Sequence, residues 1–118
     1  MQDNMDSRIP VSAVLITKDA ESHLERVLTP LSFCAEIVIL DSGSTDRTRE
    51  IALDHGVRWR EHPFCGYGPQ KRRAVELARH DWILSVDADE VLLANISGAR
   101  TDFIRLNHGD MRQPGSAD

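Results

Sequence analysis

Three short apolar runs dominate the chain, and each ends at a residue that can carry polar chemistry. They cover residues 11–17, 36–41 and 82–87 and are rich in valine, isoleucine and leucine. Runs of this length and composition predict strands that are buried on both faces, as in a parallel sheet. A fourth segment, residues 57–60, alternates apolar and basic side chains and predicts an edge strand.

Three amphipathic patterns separate these four segments and predict helices. The first has an apolar stripe between residues 24 and 31, with Asp19 as its N-cap. The second follows the cap-rich stretch 44–46 and ends at Gly56. The third opens at Pro69, because proline is favoured in the first turn of a helix.

The resulting β-α-β-α-β-α-β order predicts an α/β fold with a Rossmann-like parallel sheet. Right-handed crossovers place helices on both faces of the sheet and favour the strand order 3-2-1-4. The chain changes direction across the sheet after the third strand, so a crevice is expected between strands one and four. Ligands of such sheets bind at the carboxyl ends of the strands. Thr17, Asp41 and Asp87 all lie at those ends.

The chain has 118 residues, which is enough for one small domain. We predict a polar N-terminal segment (1–10), a ligand-binding domain (11–93) and a polar tail (94–118). The tail is expected to be poorly ordered, and a short strand around 103–106 is the alternative.

Composition excludes several classes of function. Nineteen acidic and 14 basic side chains give a formal net charge of −5, so the general basic field of a nucleic-acid-binding protein is missing. No apolar run approaches the roughly 20 residues that span a bilayer. Cys34 and Cys65 lie far apart, show no metal-ligand spacing, and are expected to be thiols in a reducing compartment, although sequence alone does not exclude a disulfide between them.

The acidic stretch 87–90, Asp-Ala-Asp-Glu, is the sharpest candidate for chemistry. Three carboxylates in four residues repel one another unless solvent, a cation or hydrogen-bond donors lie nearby. Mg²⁺ and Mn²⁺ prefer oxygen ligands and often use one or two carboxylates together with substrate phosphates. Asp87 and Asp89 are therefore candidate metal ligands, and a solvated acidic loop is the alternative.

Two further stretches suggest nucleotide binding. Asp41, at the end of a strand, can accept a hydrogen bond from a nucleobase N–H or a ribose hydroxyl, whereas the small residues after it also suit a simple strand-to-helix turn. Residues 65–73 place two glycines before a helix and cations in its first turn, which favours an anion site. A flexible loop followed by a solvated basic helix face is the alternative for this stretch.

Four segments in register resemble the family 2 glycosyltransferases of the GT-A fold, especially the branch that adds sugars to the lipopolysaccharide core. They are Val-Leu-Ile-Thr-Lys (14–18), Glu-Ile-Val-Ile-Leu-Asp-Ser-Gly-Ser-Thr-Asp-Arg-Thr (36–48), Gly-Tyr-Gly-Pro-Gln-Lys (66–71) and Asp-Trp-Ile-Leu-Ser-Val-Asp-Ala-Asp-Glu (81–90). The resemblance covers about residues 11–93. Asp19 and Arg72 depart from it, since asparagine is usual at both positions.

The resemblance implies a site for a nucleotide-diphosphate sugar, with UDP as the usual nucleotide, and for Mn²⁺ or Mg²⁺. It implies that Asp41 holds the base and that Asp87 lies on the ribose and phosphate side. The implied nucleotide-binding residues are Thr17, Asp41, Lys71, Arg72 and Asp87. The implied metal ligands are Asp89 and Asp87.

The family transfers a sugar to a hydroxyl acceptor with inversion, and the resemblance implies a glycan or lipid-linked acceptor. It also implies a cytoplasmic location, including the inner membrane face. No catalytic base is assigned; Glu90 and Asp102 are candidates only by default. Family members are more than twice as long as this nucleotide-binding half. We therefore expect donor binding with weak or absent transfer, and a second copy or a partner chain could cover the missing half.

Two other functions are compatible with the residues. A non-catalytic binding or interaction module would keep the fold and lose affinity for nucleotides. A metal-dependent phosphatase would use the acidic cluster. The haloacid-type phosphatases, however, carry their Asp-x-Asp motif after the first strand, and here it follows the fourth.

Overall fold

The computed structural model describes residues 8–87, 91–95 and 104–106. The strands are β1 (Ile9–Thr17), β2 (Cys34–Asp41), β3 (Arg58–Glu61), β4 (Trp82–Val86), β5 (Val91–Asn95) and β6 (Ile104–Leu106). The helices are α1 (Leu24–Leu28), α2 (Thr48–Asp54) and α3 (Tyr67–Glu76), and a 3-10 helix spans Thr29–Phe33. Within these ranges no helix is long and apolar enough to cross a membrane.

The six strands form one sheet in the order β3-β2-β1-β4-β5-β6. The first four pair in parallel, which confirms the predicted order 3-2-1-4. The sheet is not wholly parallel, however, because β5 and β6 are antiparallel additions. Only residues 87–90 connect β4 to β5. A connection this short cannot make the crossover that a parallel pair needs, so the chain turns back on itself.

The two added strands extend the sheet beyond the four predicted from the apolar runs. The sequence pattern does not predict β5, which crosses the expected domain boundary at residue 93. Strand β6 agrees with the alternative of a short strand near 103–106. The rest of the tail, and the N-terminal segment up to residue 7, lie outside the described residues.

The core has two layers because neighbouring residues of a buried strand point to opposite faces of the sheet. On one face Ala13 and Leu15 of β1 pack with Leu24 and Leu28 of α1. On the other face the side chains that pack against α3 come from three strands. They are Val14, Val38, Leu40 and Ile83. Helices therefore cover both faces, as predicted.

The helix starts differ from the sequence prediction. Asp19 does not cap the first helix: α1 begins at Leu24, and its N-cap residue, His23, makes no side-chain capping bond. Asp19 instead has a positive φ of 51° and accepts a hydrogen bond from the Thr45 N–H. Helix α3 begins at Tyr67, so Pro69 lies within its first turn.

The end of α2 agrees with the sequence prediction. Gly56 follows the helix with a positive φ of 75°. Its N–H bonds to the carbonyl of Leu53, and the Val57 N–H bonds to the carbonyl of Ala52. These bonds satisfy carbonyls that a helix end otherwise leaves unpaired.

A polar cluster ties the strands together at their amino ends, opposite the carboxyl ends. Glu36 is its centre: its carboxylate accepts bonds from the Ser12 hydroxyl (2.6 Å), the Arg79 N–H (2.6 Å) and the Arg58 guanidinium (3.0 Å). His80 Nδ1 lies 3.0 Å from Ser12 Oγ. Burial by itself would raise the pKa of Glu36, but the bonds from Ser12, Arg79 and Arg58 outweigh it and lower that pKa.

Candidate functional site

A cleft of about 560 Å³ opens at the carboxyl ends of the parallel strands, between β1 and β4. Its base is apolar and includes Leu15, Leu24 and Val86. Polar residues from five segments line it. They are Thr17, Lys18, His23, Ser42, Gln70 and Asp87. The cleft therefore lies where the strand order predicts a ligand site.

Asp41 ends β2 beside this cleft, but the protein itself surrounds its carboxylate. Only 1% of the residue is exposed. Oδ1 accepts bonds from the hydroxyls of Thr17 and Ser44, both at 2.6 Å. Oδ2 accepts the backbone N–H groups of Gly43 (2.8 Å) and Ser44 (2.6 Å). A carboxylate offers about four acceptor positions, and all four have protein donors here.

Those bonds affect the ionisation of Asp41. Burial favours the neutral acid and would raise the pKa, but the four donors favour the anion. Their combined effect lowers the pKa of Asp41. The carboxylate is therefore charged at neutral pH and holds residues 42–44 in a fixed turn. Its implied role in holding a nucleobase stays a prediction.

A second set of bonds joins the loop after β1 to the loop after β2. The Asp19 N–H donates to Ser44 Oγ (2.6 Å), and Asp19 Oδ1 accepts the Thr45 N–H (2.7 Å). Asp46 Oδ2 accepts the Glu21 N–H (3.1 Å). These bonds fix the cleft wall that carries Thr17, Lys18 and Ser42. The polar residues after β2 thus do more than cap a helix, because they bind across to the neighbouring loop.

On the opposite side of the cleft, Lys71 of α3 does not itself line the cleft, but it reaches Asp87 at the end of β4, which does. Its Nζ lies 2.8 Å from Asp87 Oδ1 and donates to Ser85 Oγ, also at 2.8 Å. Lys71 is mostly buried, with 22% of its side chain exposed, and the Asp87 side chain is 37% exposed. The structure therefore brings two of the sequence-predicted residues into direct contact at the cleft.

Arg72 and Asp89 complete the sequence-predicted set. Arg72 is exposed on α3 and is not among the residues that line the cleft. Asp89 lies outside the described residues, as do Glu90 and Asp102, the two default candidates for the catalytic base. The implied roles of all these residues stay predictions.

An aromatic pair on the cleft rim was not singled out from the sequence. Phe64 and Tyr67 are 53% and 78% exposed. Their rings meet edge to face, with centroids 5.1 Å apart and an interplanar angle of 76°. The available signal in the sequence was two aromatic residues on either side of Cys65-Gly66, in the loop between a strand and a helix. Exposed rings at a cleft can stack on a planar ligand.

Gln70 supports this rim and was also missed. It is 1% exposed, and its amide donates to the His62 carbonyl (3.1 Å) while its oxygen accepts the Cys65 thiol (3.2 Å). A buried amide with both ends bonded holds the loop 62–66 against α3. The sequence did not indicate that Gln70 is buried, because the residues that follow it in the helix are charged.

A divalent cation would find one suitable ligand on the described cleft wall. Asp87 offers a partly exposed carboxylate, the oxygen donor that Mg²⁺ and Mn²⁺ prefer. Across the described ranges, no group of three or more His, Cys, Asp or Glu side chains could hold a metal by itself. This donor set fits a cation bound by one or two carboxylates and substrate phosphates, rather than an all-protein metal cage.

Comparisons with known proteins match this region. The model of the family described as "Glycosyl transferase family 2" matches residues 12–95. The lipopolysaccharide core biosynthesis glycosyltransferase LpsC of Rhizobium meliloti (strain 1021) is 40% identical over 93 residues. That match covers 75% of this chain and 34% of LpsC. An uncharacterized glycosyltransferase of Rickettsia bellii is 40% identical over 83 residues, 70% of this chain and 28% of that protein.

A solved structure shows the same fold. Glucosyl-3-phosphoglycerate synthase from Mycobacterium tuberculosis, crystallised with Mn²⁺, UDP and glucosyl-3-phosphoglycerate, superposes with a TM-score of 0.58 and 27% identity. The match covers 73% of this chain and 36% of that chain. The protein described here spans about a third of the length of the relatives it matches.

Proposed function

Because this chain belongs to glycosyl transferase family 2, we propose that its cleft is the donor site of a glycosyltransferase that uses a UDP-sugar. The observation that carries the proposal is the Lys71–Asp87 pair: the carboxylate lines a cleft at the carboxyl ends of β1 and β4, and the cation contacts that carboxylate from α3. Support comes from the mycobacterial synthase, whose crystal holds UDP and Mn²⁺.

The chemistry of the wall suits a nucleotide diphosphate. Lys71 lies next to the cleft and can donate to phosphate oxygens, and Arg72 follows it on the same helix. Thr17 and Ser42 offer hydroxyls at the other wall. Asp87, with Asp89, would hold Mn²⁺ or Mg²⁺, which when bound would offset negative charge on the departing diphosphate. The sugar would then be transferred with inversion to a glycan or lipid-linked hydroxyl.

Several parts of this proposal rest on the resemblance and on LpsC. They are the lipopolysaccharide-type acceptor, a cytoplasmic location that includes the inner membrane face, and association with a second copy or a partner chain. No residue is assigned as the base that deprotonates the acceptor.

Thermal unfolding tests the donor site. UDP with Mn²⁺, at 100 times its Kd, should add about 2.7 kcal/mol to the free energy of unfolding. For a domain of this size that corresponds to a rise in Tm of roughly 10–20 °C. GDP, ADP and CMP should give smaller shifts. Asp89→Ala should abolish the Mn²⁺-dependent part, and Asp81→Ala, at the opposite end of β4, should keep it.

A cooperative melt that no nucleotide moves would contradict the proposal. It would favour the non-catalytic module, which keeps the fold without the ligand. A Mn²⁺-dependent shift that persists in Asp89→Ala would retain the donor site and overturn the metal assignment.

The aromatic rim supplies a separate prediction. If the base stacks on the Phe64–Tyr67 pair, Tyr67→Ala should weaken UDP binding by roughly 5- to 150-fold, the cost of about 1–3 kcal/mol for one lost stacking contact. Because the Tyr67 side chain is largely exposed, the Tm without nucleotide should change little. Isothermal titration of UDP with Mn²⁺ measures the affinity, and Tyr67→Phe is the matched control that keeps the ring. Equal losses in both variants would rule out stacking.

A further inference from the structure

The ammonium of Lys71 occupies a position that a divalent cation would also favour. Its Nζ lies 2.8 Å from Asp87 Oδ1, and Ser85 Oγ accepts a second bond from it at 2.8 Å. Ser85 is buried inside β4, so its hydroxyl is a fixed anchor for the lysine. Without ligand, the negative charge of Asp87 is therefore already balanced by a cation of the protein itself.

This arrangement creates a competition at Asp87. A divalent cation bound to the same carboxylate would lie within a few ångströms of the ammonium, and like charges at that distance repel strongly. A nucleotide diphosphate removes the conflict, because its negative oxygens can accept bonds from the ammonium and coordinate the divalent cation together. Lysine suits such a move, since its ammonium sits on a flexible four-carbon stem.

We propose that Lys71 is an exchangeable counter-ion for Asp87 that makes metal binding depend on the nucleotide. Without nucleotide, Lys71 neutralises Asp87 and keeps the affinity for a divalent cation low. When the diphosphate binds, Lys71 transfers its bonds from Asp87 to phosphate oxygens and leaves the carboxylate to the metal. This inference rests on the proposed donor site and adds that the coupling between the two ligands is positive. Metal and nucleotide each raise the affinity of the protein for the other by the same factor.

Mn²⁺ binding without nucleotide tests the exchange directly. The electron paramagnetic resonance signal of free Mn²⁺ falls as the ion binds, so titration of the 118-residue chain gives its affinity for the metal alone. Lys71→Met removes the charge and keeps an unbranched side chain. We expect it to bind Mn²⁺ about tenfold more tightly than the wild type, a factor within the usual range for coupled sites. UDP should then increase the affinity for Mn²⁺ by less than in the wild type.

Two further variants make the test specific. Arg73→Met removes the same charge from an exposed position of α3 and should leave Mn²⁺ affinity unchanged. Ser85→Ala removes the anchor and should raise Mn²⁺ affinity by a few-fold, which also keeps the test available if Lys71→Met does not fold. Circular dichroism verifies the fold of each variant.

The outcomes separate this inference from the proposed function. Mn²⁺ affinity that is unchanged or lower in folded Lys71→Met and Ser85→Ala, or no Mn²⁺ binding by any variant at millimolar concentration, overturns the exchange. An equal rise in Arg73→Met also overturns it, because general charge would then explain the effect. Failure of the wild type to bind UDP in the presence of Mn²⁺ instead contradicts the donor site.

Discussion

Replacing Asp41 by alanine is expected to lower the free energy of unfolding by about 3 kcal/mol in the absence of any ligand. The substitution leaves the partly buried hydrogen bonds of the Gly43 and Ser44 N–H groups without their acceptor, and it removes the acceptor of two hydroxyls. Asparagine should cost less, about 1 kcal/mol, because its oxygen can keep the two N–H donors while the hydroxyls rotate to accept from its amide.

Urea denaturation at neutral pH measures both values. Asp54→Ala is the matched control, since Asp54 is exposed at the end of α2 and its replacement should stay within about 0.5 kcal/mol of the wild type. An Asp41→Ala protein as stable as the wild type would mean that the hydrogen-bonded turn contributes nothing to the fold.

The lowered pKa of Asp41 adds a pH dependence with a definite sign. The folded protein binds a proton here less readily than the unfolded chain. The stabilisation is therefore complete above the unfolded pKa of about 4 and is lost as pH falls through the folded value. Stability of the wild type should decrease more steeply than that of Asp41→Asn in this acid range.

Replacing Glu36 by alanine should have an effect of similar size, about 3 kcal/mol. It would remove the carboxylate that accepts from the buried Ser12 hydroxyl and leave that hydroxyl with His80 Nδ1 alone, and it would remove the partner of the Arg58 guanidinium, which is 23% exposed. Glu36 bonds to Arg58 of the edge strand β3 and to the Arg79 N–H before β4, as well as to β1. Its loss should therefore weaken the contacts between all of these segments at the amino ends of the strands. Its lowered pKa gives the same acid sensitivity as Asp41 below about pH 4.

A double-mutant cycle isolates the ion pair within this cluster. Glu36→Ala and Arg58→Ala, measured singly and together in urea, should show a coupling energy of about 1 kcal/mol. Glu76→Ala, at the exposed end of α3, is the control and should change stability by less than about 0.5 kcal/mol. Additive effects of the two single substitutions would show that Glu36 acts only through Ser12 and the Arg79 N–H.

The parallel part of the fold was predictable because its signal is local. Apolar runs of strand length, separated by amphipathic patterns, specify β1, β2 and β4 and the helices between them, and crossover handedness then leaves few possible strand orders. Strand β5 escaped prediction because its apolar run is short and lies across the expected domain boundary at residue 93, and β6 was given only as the alternative to a poorly ordered tail. Their pairing depends on the four-residue connection after β4 and on the open edge that β4 presents.

The candidate site, like the fold, has one part that the sequence predicts and another that depends on tertiary packing. The sequence by itself determined that Thr17, Asp41 and Asp87 lie at the carboxyl ends of parallel strands, since the end of an apolar run marks the end of a strand. Only the tertiary structure decided what each side chain contacts. It surrounded Asp41 with four donors, one at the end of β1 and three in the loop after β2, and it placed Lys71 of α3 on Asp87. The Lys71–Asp87 and Thr17–Asp41 contacts join residues that are 16 and 24 positions apart in the chain, and contacts over that separation depend on how the helices and strands pack together rather than on any local pattern.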